Sequence, residues 1–289
     1  MLFIIGVLIV FTSVVVGYTM HAGDLSLLWQ PNEIVIIVGA GIGSILIANP
    51  ISVIIDTAKG CRYLFRGKPY NKGEYMELLL FVFNTFKLMK IKGMLEIESH
   101  IENPNESDLF AQAPSLKKDE FTNNFIKDNL RLLTMGIDNS MQFEDMIDRE
   151  LDVFSYNSST PGKTFATLAD ALPALGIVAA VLGVMVTMRS IMEPPEILGS
   201  LIAAALVGTF TGVLLSYGLV GPIGTFLSRY SDYKIKYLEC IKTGFISYLN
   251  GNPPIIIVEF MRKTIPEDVR PTFEELDNFI SGYSMKIMN

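Results

Sequence analysis

From Asp170 to Leu227 the chain reads DALPALGIVAAVLGVMVTMRSIMEPPEILGSLIAAALVGTFTGVLLSYGLVGPIGTFL, two long apolar segments joined by a short turn. Not one Asp, Glu, Lys, His or Arg falls between Leu172 and Met188 or between Ile197 and Ser228. At ~1.5 Å per helical residue, segments of that length cross a ~30 Å hydrocarbon layer, so the pattern predicts a transmembrane hairpin. Small residues crowd both arms: Ala174, Gly176, Ala179, Ala180 and Gly183 on the first, Ala203, Ala204, Ala205, Gly208 and Gly212 on the second. Apolar area alone gives no drive to associate in lipid, so residues that let backbones approach predict close helix neighbours. Hydroxyls stand at mid-depth on Thr187, Thr209 and Thr211. Pro173, just inside the first arm, and Pro222, near the end of the second, each free one carbonyl from its helical bond. They mark helix ends or place a hinge.

Two further spans precede the hairpin. Leu2–Met20, LFIIGVLIVFTSVVVGYTM, is uncharged and lacks the basic flank and small-residue cleavage site of a signal peptide, so it reads as a retained span. The loop HAGDLSLLWQPNE follows, with Asp24 and Glu33 but no base, and with Trp29 at an interfacial position. Ile34–Ile55 is the second predicted span, with Pro50 towards its end. Its Gly39, Gly41 and Gly43 mimic a nucleotide loop, but no strand–turn–helix frame accompanies them and helix packing explains them better.

The rest is polar and helical. Residues 56–165 contain one hot patch, Leu78–Phe86, too short to cross a membrane and expected to pack or lie at an interface. After it, Lys87, Lys90 and Lys92 precede Glu96, Glu98 and Glu102 along what reads as one helical rod, either a dipolar docking surface or a solvated face. Phe121–Met135 and Phe143–Phe154 are amphipathic by periodicity, and SYNSSTPGK at Ser155–Lys163 reads as a flexible joint. Of 23 Lys and Arg, 14 lie between the second and third spans and 8 after the fourth, leaving Arg189 alone on the other side. The positive-inside rule then puts both large polar parts and both termini in the cytoplasm. The expected fold is all-α: a polytopic membrane protein with spans within 1–55 and 166–227, a helical cytoplasmic domain at 56–165 and a cytoplasmic tail at 228–289.

A chain with 50% apolar residues and a mean hydropathy of +0.39 is too oily for an aqueous protein. The net charge of −7 opposes general nucleic-acid binding, which needs basic excess. Cys61 and Cys240 are far apart, and His21 and His100 are the only histidines, so no metal set or cofactor is expected. No nucleophile–base pair is visible and no enzymatic activity is predicted. Hydroxyls at mid-depth without a buried ionisable group suggest half of an ion pathway, the carboxylate arriving on another chain's helix. A non-conducting membrane scaffold would show the same packing.

The layout of two spans, a long polar segment, two spans and a tail resembles the MotA-type stator subunits of the MotA/TolQ/ExbB channel family. Matching stretches run along the whole chain: QPNEIVIIVGAGIGS at Gln30–Ser44, IENPNES at Ile101–Ser107, LPALGIVAAVLGV at Leu172–Val184, LVGTFTGVLLSYG at Leu206–Gly218, and VEFMRK with RPTFEEL near the end. The resemblance implies a pentamer around a dimer of a MotB-type, single-span partner that carries the proton-accepting aspartate, in the bacterial inner membrane. It further implies that Lys90 and Glu98, and with them Glu150, face the rotor protein FliG, that Pro173 and Pro222 couple ion passage to movement, and that Thr209, with Thr187, lines the path. Lys90 stands where arginine is more usual, which keeps charge but loses forked pairing. Met261 replaces a usual glycine before the RK pair. An ExbB/TolQ-like energy-transducing subunit is the alternative, favoured by three spans rather than four.

Overall fold

The computed structural model describes residues 2–65, 67–104 and 106–287; Asn105 of the IENPNES stretch falls outside them. In chain order the helices are α1 (Leu2–Met20), α2 (Leu25–Leu28), α3 (Pro31–Ala48), α4 (Ile51–Gly60), α5 (Lys72–Lys92), α6 (Met94–Glu102) and α7 (Asp108–Ala111). There follow α8 (Pro114–Lys118), α9 (Glu120–Thr134), α10 (Ser140–Thr187), α11 (Pro195–Leu215), α12 (Gly221–Leu249), α13 (Pro254–Thr264) and α14 (Phe273–Ile287). The chain is all-α, and four helical stretches are long and apolar enough to cross a membrane: Leu2–Met20, Leu25–Ala48, Ser140–Ser190 and Pro195–Leu249. It divides into two compact units, residues 1–67 with 157–231 and residues 68–156 with 232–289.

The first unit is the apolar one. Its second span ends earlier than the sequence pattern predicts. Asn49 and Pro50 are extended, because the proline ring disfavours helical backbone in the residue before it, and α4 starts afresh at Ile51. The span also starts earlier, at Pro31, whose missing N–H costs nothing in a first turn, so Glu33 belongs to the helix and not to the loop. Gly41 faces α10, where an added methyl would come within 3.1 Å of Leu168; Gly39 and Gly43 face open space. Ser155–Lys163, expected as a flexible joint, is helical: α10 spans 48 residues with Pro161 and Pro173 inside it. Gly162 and Gly224 explain why the helix persists there. A methyl on Gly162 would lie 3.0 Å from the Gly224 carbonyl, so two backbones meet directly and hold the segment.

The second unit has an aqueous-type core. The Leu78–Phe86 patch is its centre: Leu78, Leu79, Leu80, Phe81 and Val82 are all buried, as expected of a helix apolar on every side. Around α5 lie Phe125, Leu130 and Leu133 of α9, Phe143 and Ile147 of α10, Tyr237, Ile241 and Phe245 of α12, and Ile257 and Met261 of α13. Met261 is fully buried in this core, its sulfur against Gly244. A reciprocal cap between Asn71 and Glu74 opens α5. The rod expected from Lys87 to Glu102 is broken, because Gly93 adopts φ +88° and ends α5 before α6 begins.

One polar knot ties this core together. Asp119 accepts hydrogen bonds from Tyr70 Oη and Thr122 Oγ1, both at 2.7 Å, and from Lys234 Nζ at 3.0 Å. Tyr70 stacks on Tyr237, their centroids 4.0 Å apart, and Lys234 lies over Phe121 and Phe154. Burial pushes the Asp119 carboxyl up, but the Lys234 charge and the three hydrogen bonds outweigh it and hold it below the usual carboxylate range. Its stabilisation is therefore full above the ordinary carboxylate pKa and is lost as pH falls through the lowered value. Asp119→Asn should cost about 1–3 kcal/mol in unfolding of the purified chain and flatten the acid side of its stability–pH curve; an unchanged curve would remove the knot's role.

Candidate functional site

Four of the residues singled out by sequence, Pro173, Thr187, Thr209 and Pro222, lie in the apolar unit. Here α10 and α11 touch backbone to backbone. A methyl on Gly176 would sit 2.8 Å from the Gly208 carbonyl and 3.1 Å from Gly212 Cα. One on Gly212 would sit 2.6 Å from the carbonyl of Leu172, the residue before Pro173. Ala179, Ala205, Gly208 and Gly212 are buried in this seam, while Ala174 points out of it.

Neither proline ends a helix. Pro173 lacks the N–H that would close a helical turn on Ala169, four residues back. That released carbonyl is not left open: Ser216 Oγ, 1% exposed, donates to it at 2.6 Å. Ser216 also begins a π-helical stretch, Ser216–Val220, in which the Gly221 N–H reaches back to the Ser216 carbonyl. The widened turn directly precedes Pro222, the residue that cannot bond to Gly218. Ser216 therefore stands between the two prolines, bonded through its side chain to the turn behind one and through its carbonyl to the turn ahead of the other.

The threonines differ. Thr209 is half-buried, its backbone against Gly176. Thr187 is buried, and its hydroxyl donates to the Gly183 carbonyl of its own helix at 2.9 Å. Glu33 is the addition that sequence reasoning missed. It is 8% exposed, with its carboxylate between α10 and α11 at Gly183, Ala205 and Gly208. The wall around the hairpin is therefore not free of carboxylates, as the polar look of the Gln30–Glu33 stretch had implied. The signal that could have found it is Pro31, a helix-start residue two places earlier.

Lys90, Glu98 and Glu150 lie in the other unit, all exposed. Lys90 closes α5 and Glu98 is on α6, beyond the turn at Gly93, which the Lys92–Glu96 ion pair spans at 3.0 Å. Neither Lys90 nor Glu98 joins an ion pair among the described residues. Between them Ile91 is 72% and Leu95 80% exposed, an apolar pair framed by free charges. At Glu150, on α10, partial desolvation and the Asp128 charge push the carboxyl up against an opposing Asn129 hydrogen bond.

Residues 4–93 match the motility protein A N-terminal family, and residues 117–240 match the MotA/TolQ/ExbB proton channel family. Motility protein A of Escherichia coli K12 is 41% identical over 280 residues, covering 97% of this chain and 95% of that one. The chain belongs to the motility protein A family. Chemotaxis protein LafT of Vibrio parahaemolyticus is 31% identical over 277 residues, covering 96% of this chain and 97% of its own. The C. jejuni MotAB structure shares the fold, with a TM-score of 0.78 at 18% identity over 94% of this chain and 98% of that one. A motility protein A is a membrane-embedded stator subunit of the flagellar motor, of the proton-channel kind and not an enzyme. With motility and chemotaxis proteins as relatives, the ExbB/TolQ-like alternative is not favoured.

The seam between α10 and α11 makes a specific demand. Ser216→Ala should leave the Ala169 carbonyl unpaired at a cost of about 1–3 kcal/mol, read as a lower unfolding midpoint of the purified chain in detergent. Gly212→Ala, which forces a methyl against the Leu172 carbonyl, should part the two helices, read as loss of a disulfide engineered across the seam.

Proposed function

We propose that this chain is the ring-forming stator subunit that, with a MotB-type partner, carries protons across the inner membrane and turns their flow into torque. The partner's single span supplies the aspartate that accepts the proton. Five copies of this chain surround two of the partner, and both termini face the cytoplasm. The C. jejuni MotAB assembly, whose fold this chain shares, supports a MotB-type partner. The excess of Lys and Arg in residues 56–165 and 228–289 supports the orientation.

The observation that carries this reading is the hydrogen bond from Ser216 to the Ala169 carbonyl, which links both prolines inside a glycine-lined crossing. Breaking this bond leaves a buried carbonyl unpaired, so while it holds it ties the two proline turns together. Neutralising the partner's aspartate changes the packing against this crossing, the prolines take up the change, and the surface of Lys90, Ile91, Leu95 and Glu98 steps along FliG, with Glu150 as a further acid. The scale is adequate. One charge crossing ~100 mV releases about 2.3 kcal/mol, against about 0.2–1 kcal/mol for each exposed charge contact exchanged.

Pro173→Ala should insert normally, as judged by membrane fractionation, yet abolish swimming in a strain lacking its own stator; normal torque would remove the coupling role. Lys90→Glu or Glu98→Lys should cut torque, with partial recovery when the rotor's facing charge is also reversed. If the single reversals keep wild-type torque, or the double reversals recover none of the loss, these charges form only a solvated face. Proton flux into liposomes holding the co-expressed pair should vanish when the partner's aspartate is neutralised, an outcome no scaffold would produce.

A further inference from the structure

Glu33 occupies a built seat. It is the third residue of α3, and two glycines on two other helices make room for it. A methyl on Gly183 would lie 3.0 Å from Oε1, and a methyl on Gly208 would overlap Oε2. Ala205 closes the same space, its Cβ 2.8 Å from a methyl on Gly183. Oε2 is buried and has no hydrogen-bond partner. Burying an ionised carboxylate away from water and counter-charge costs several kcal/mol, so a seat of this kind calls for a neutralising partner.

The protein supplies none among the described residues. The facing stretches Leu172–Met188 of α10 and Ile197–Leu215 of α11 carry no ionisable side chain. At their ends stand Arg189, Glu193 and Glu196, and before α3 stand Tyr18, His21 and Asp24; none forms an ion pair or hydrogen bond with Glu33. His21 Nδ1 is engaged with the Gly17 carbonyl and Asp24 with the Ser26 N–H. A metal cation is also poorly served. Hard cations take several oxygen ligands, whereas the seat is lined by glycine Cα atoms and an alanine methyl, and the nearby Thr187 hydroxyl is spent on the Gly183 carbonyl. A proton needs one oxygen.

We propose that Glu33 is a proton-binding site carried by this chain itself, separate from the partner's aspartate. The proposal rests on the proton-channel reading and gives that channel a station at the end of α3 that adjoins the α1–α3 loop. Binding makes one O–H bond on Oε2 as hydronium gives up one of its own and becomes water, and release reverses the transfer. Protonated, the carboxyl stays between the glycines; ionised, it is drawn towards water, which empties the seat and frees the α10–α11 crossing.

The test is infrared spectroscopy of the full-length chain in lipid nanodiscs, alone and with its partner, following the carbonyl stretch of protonated carboxylic acid through a pH titration. The expected result is a titrating band that is lost in Glu33→Gln, kept with a shifted midpoint in Glu33→Asp, shifted by Gly208→Ala and unchanged in Glu98→Gln. A band untouched in both Glu33→Gln and Gly208→Ala overturns the site. A band that disappears when sodium replaces potassium at fixed pH overturns the proton in favour of a metal cation. Because the readout needs no rotor, normal torque in Pro173→Ala with the band intact would overturn the coupling mechanism and leave this site standing.

Discussion

The membrane unit depends on backbone meeting backbone. In lipid a helix gains nothing from hiding leucine, so it adheres where close approach multiplies dispersion contacts and lets polar backbone groups be answered across the gap. Gly176, Gly208 and Gly212 supply that approach between α10 and α11, and Gly162 with Gly224 repeats it between α10 and α12. The candidate residues of the unit are arranged on these crossings. The carbonyl that Pro173 releases can be answered by Ser216 only because the helices are this close, and Glu33 can lie between α10 and α11 only because Gly183 and Gly208 leave the volume of a side chain empty.

The second unit is held by different physics. Burial of Leu78–Val82, Phe125, Phe143 and Tyr237 drives its packing, and one carboxylate, Asp119, fixes the arrangement by answering a phenol, a hydroxyl and an ammonium together. The chain thus has one unit held by backbone contact and one with a single close-packed core. The long helix α10 contributes residues to both, with no break between Ser140 and Thr187.

Much of this was legible in the sequence, and the gaps have physical causes. The four spans, the small-residue faces and the buried Leu78–Phe86 segment follow from period and length, which local composition encodes. Glu33 was assigned to a loop because hydropathy averages over neighbours, and Gln30, Asn32 and Glu33 together look aqueous until Pro31 is recognised as a helix start. Ser155–Lys163 has the composition of a linker, yet in a long helix its Pro161 and Gly162 are retained because Gly224 and Leu227 pack there. The break at Gly93 was hidden by flanking helix formers on both sides. Ser216 carried no local signal at all: its partner, Ala169, is 47 positions away, and only the folded chain brings the two together.

Gly93 has a wider meaning for how such a surface evolves. Its φ of +88° is a conformation that side-chain-bearing residues rarely take, so one peptide unit sets the angle at which the basic end of α5 and the acidic start of α6 are presented. The charges on either side can be changed one by one by substitution, but the pitch between them is carried by one backbone unit and changes only by insertion, deletion or loss of that glycine.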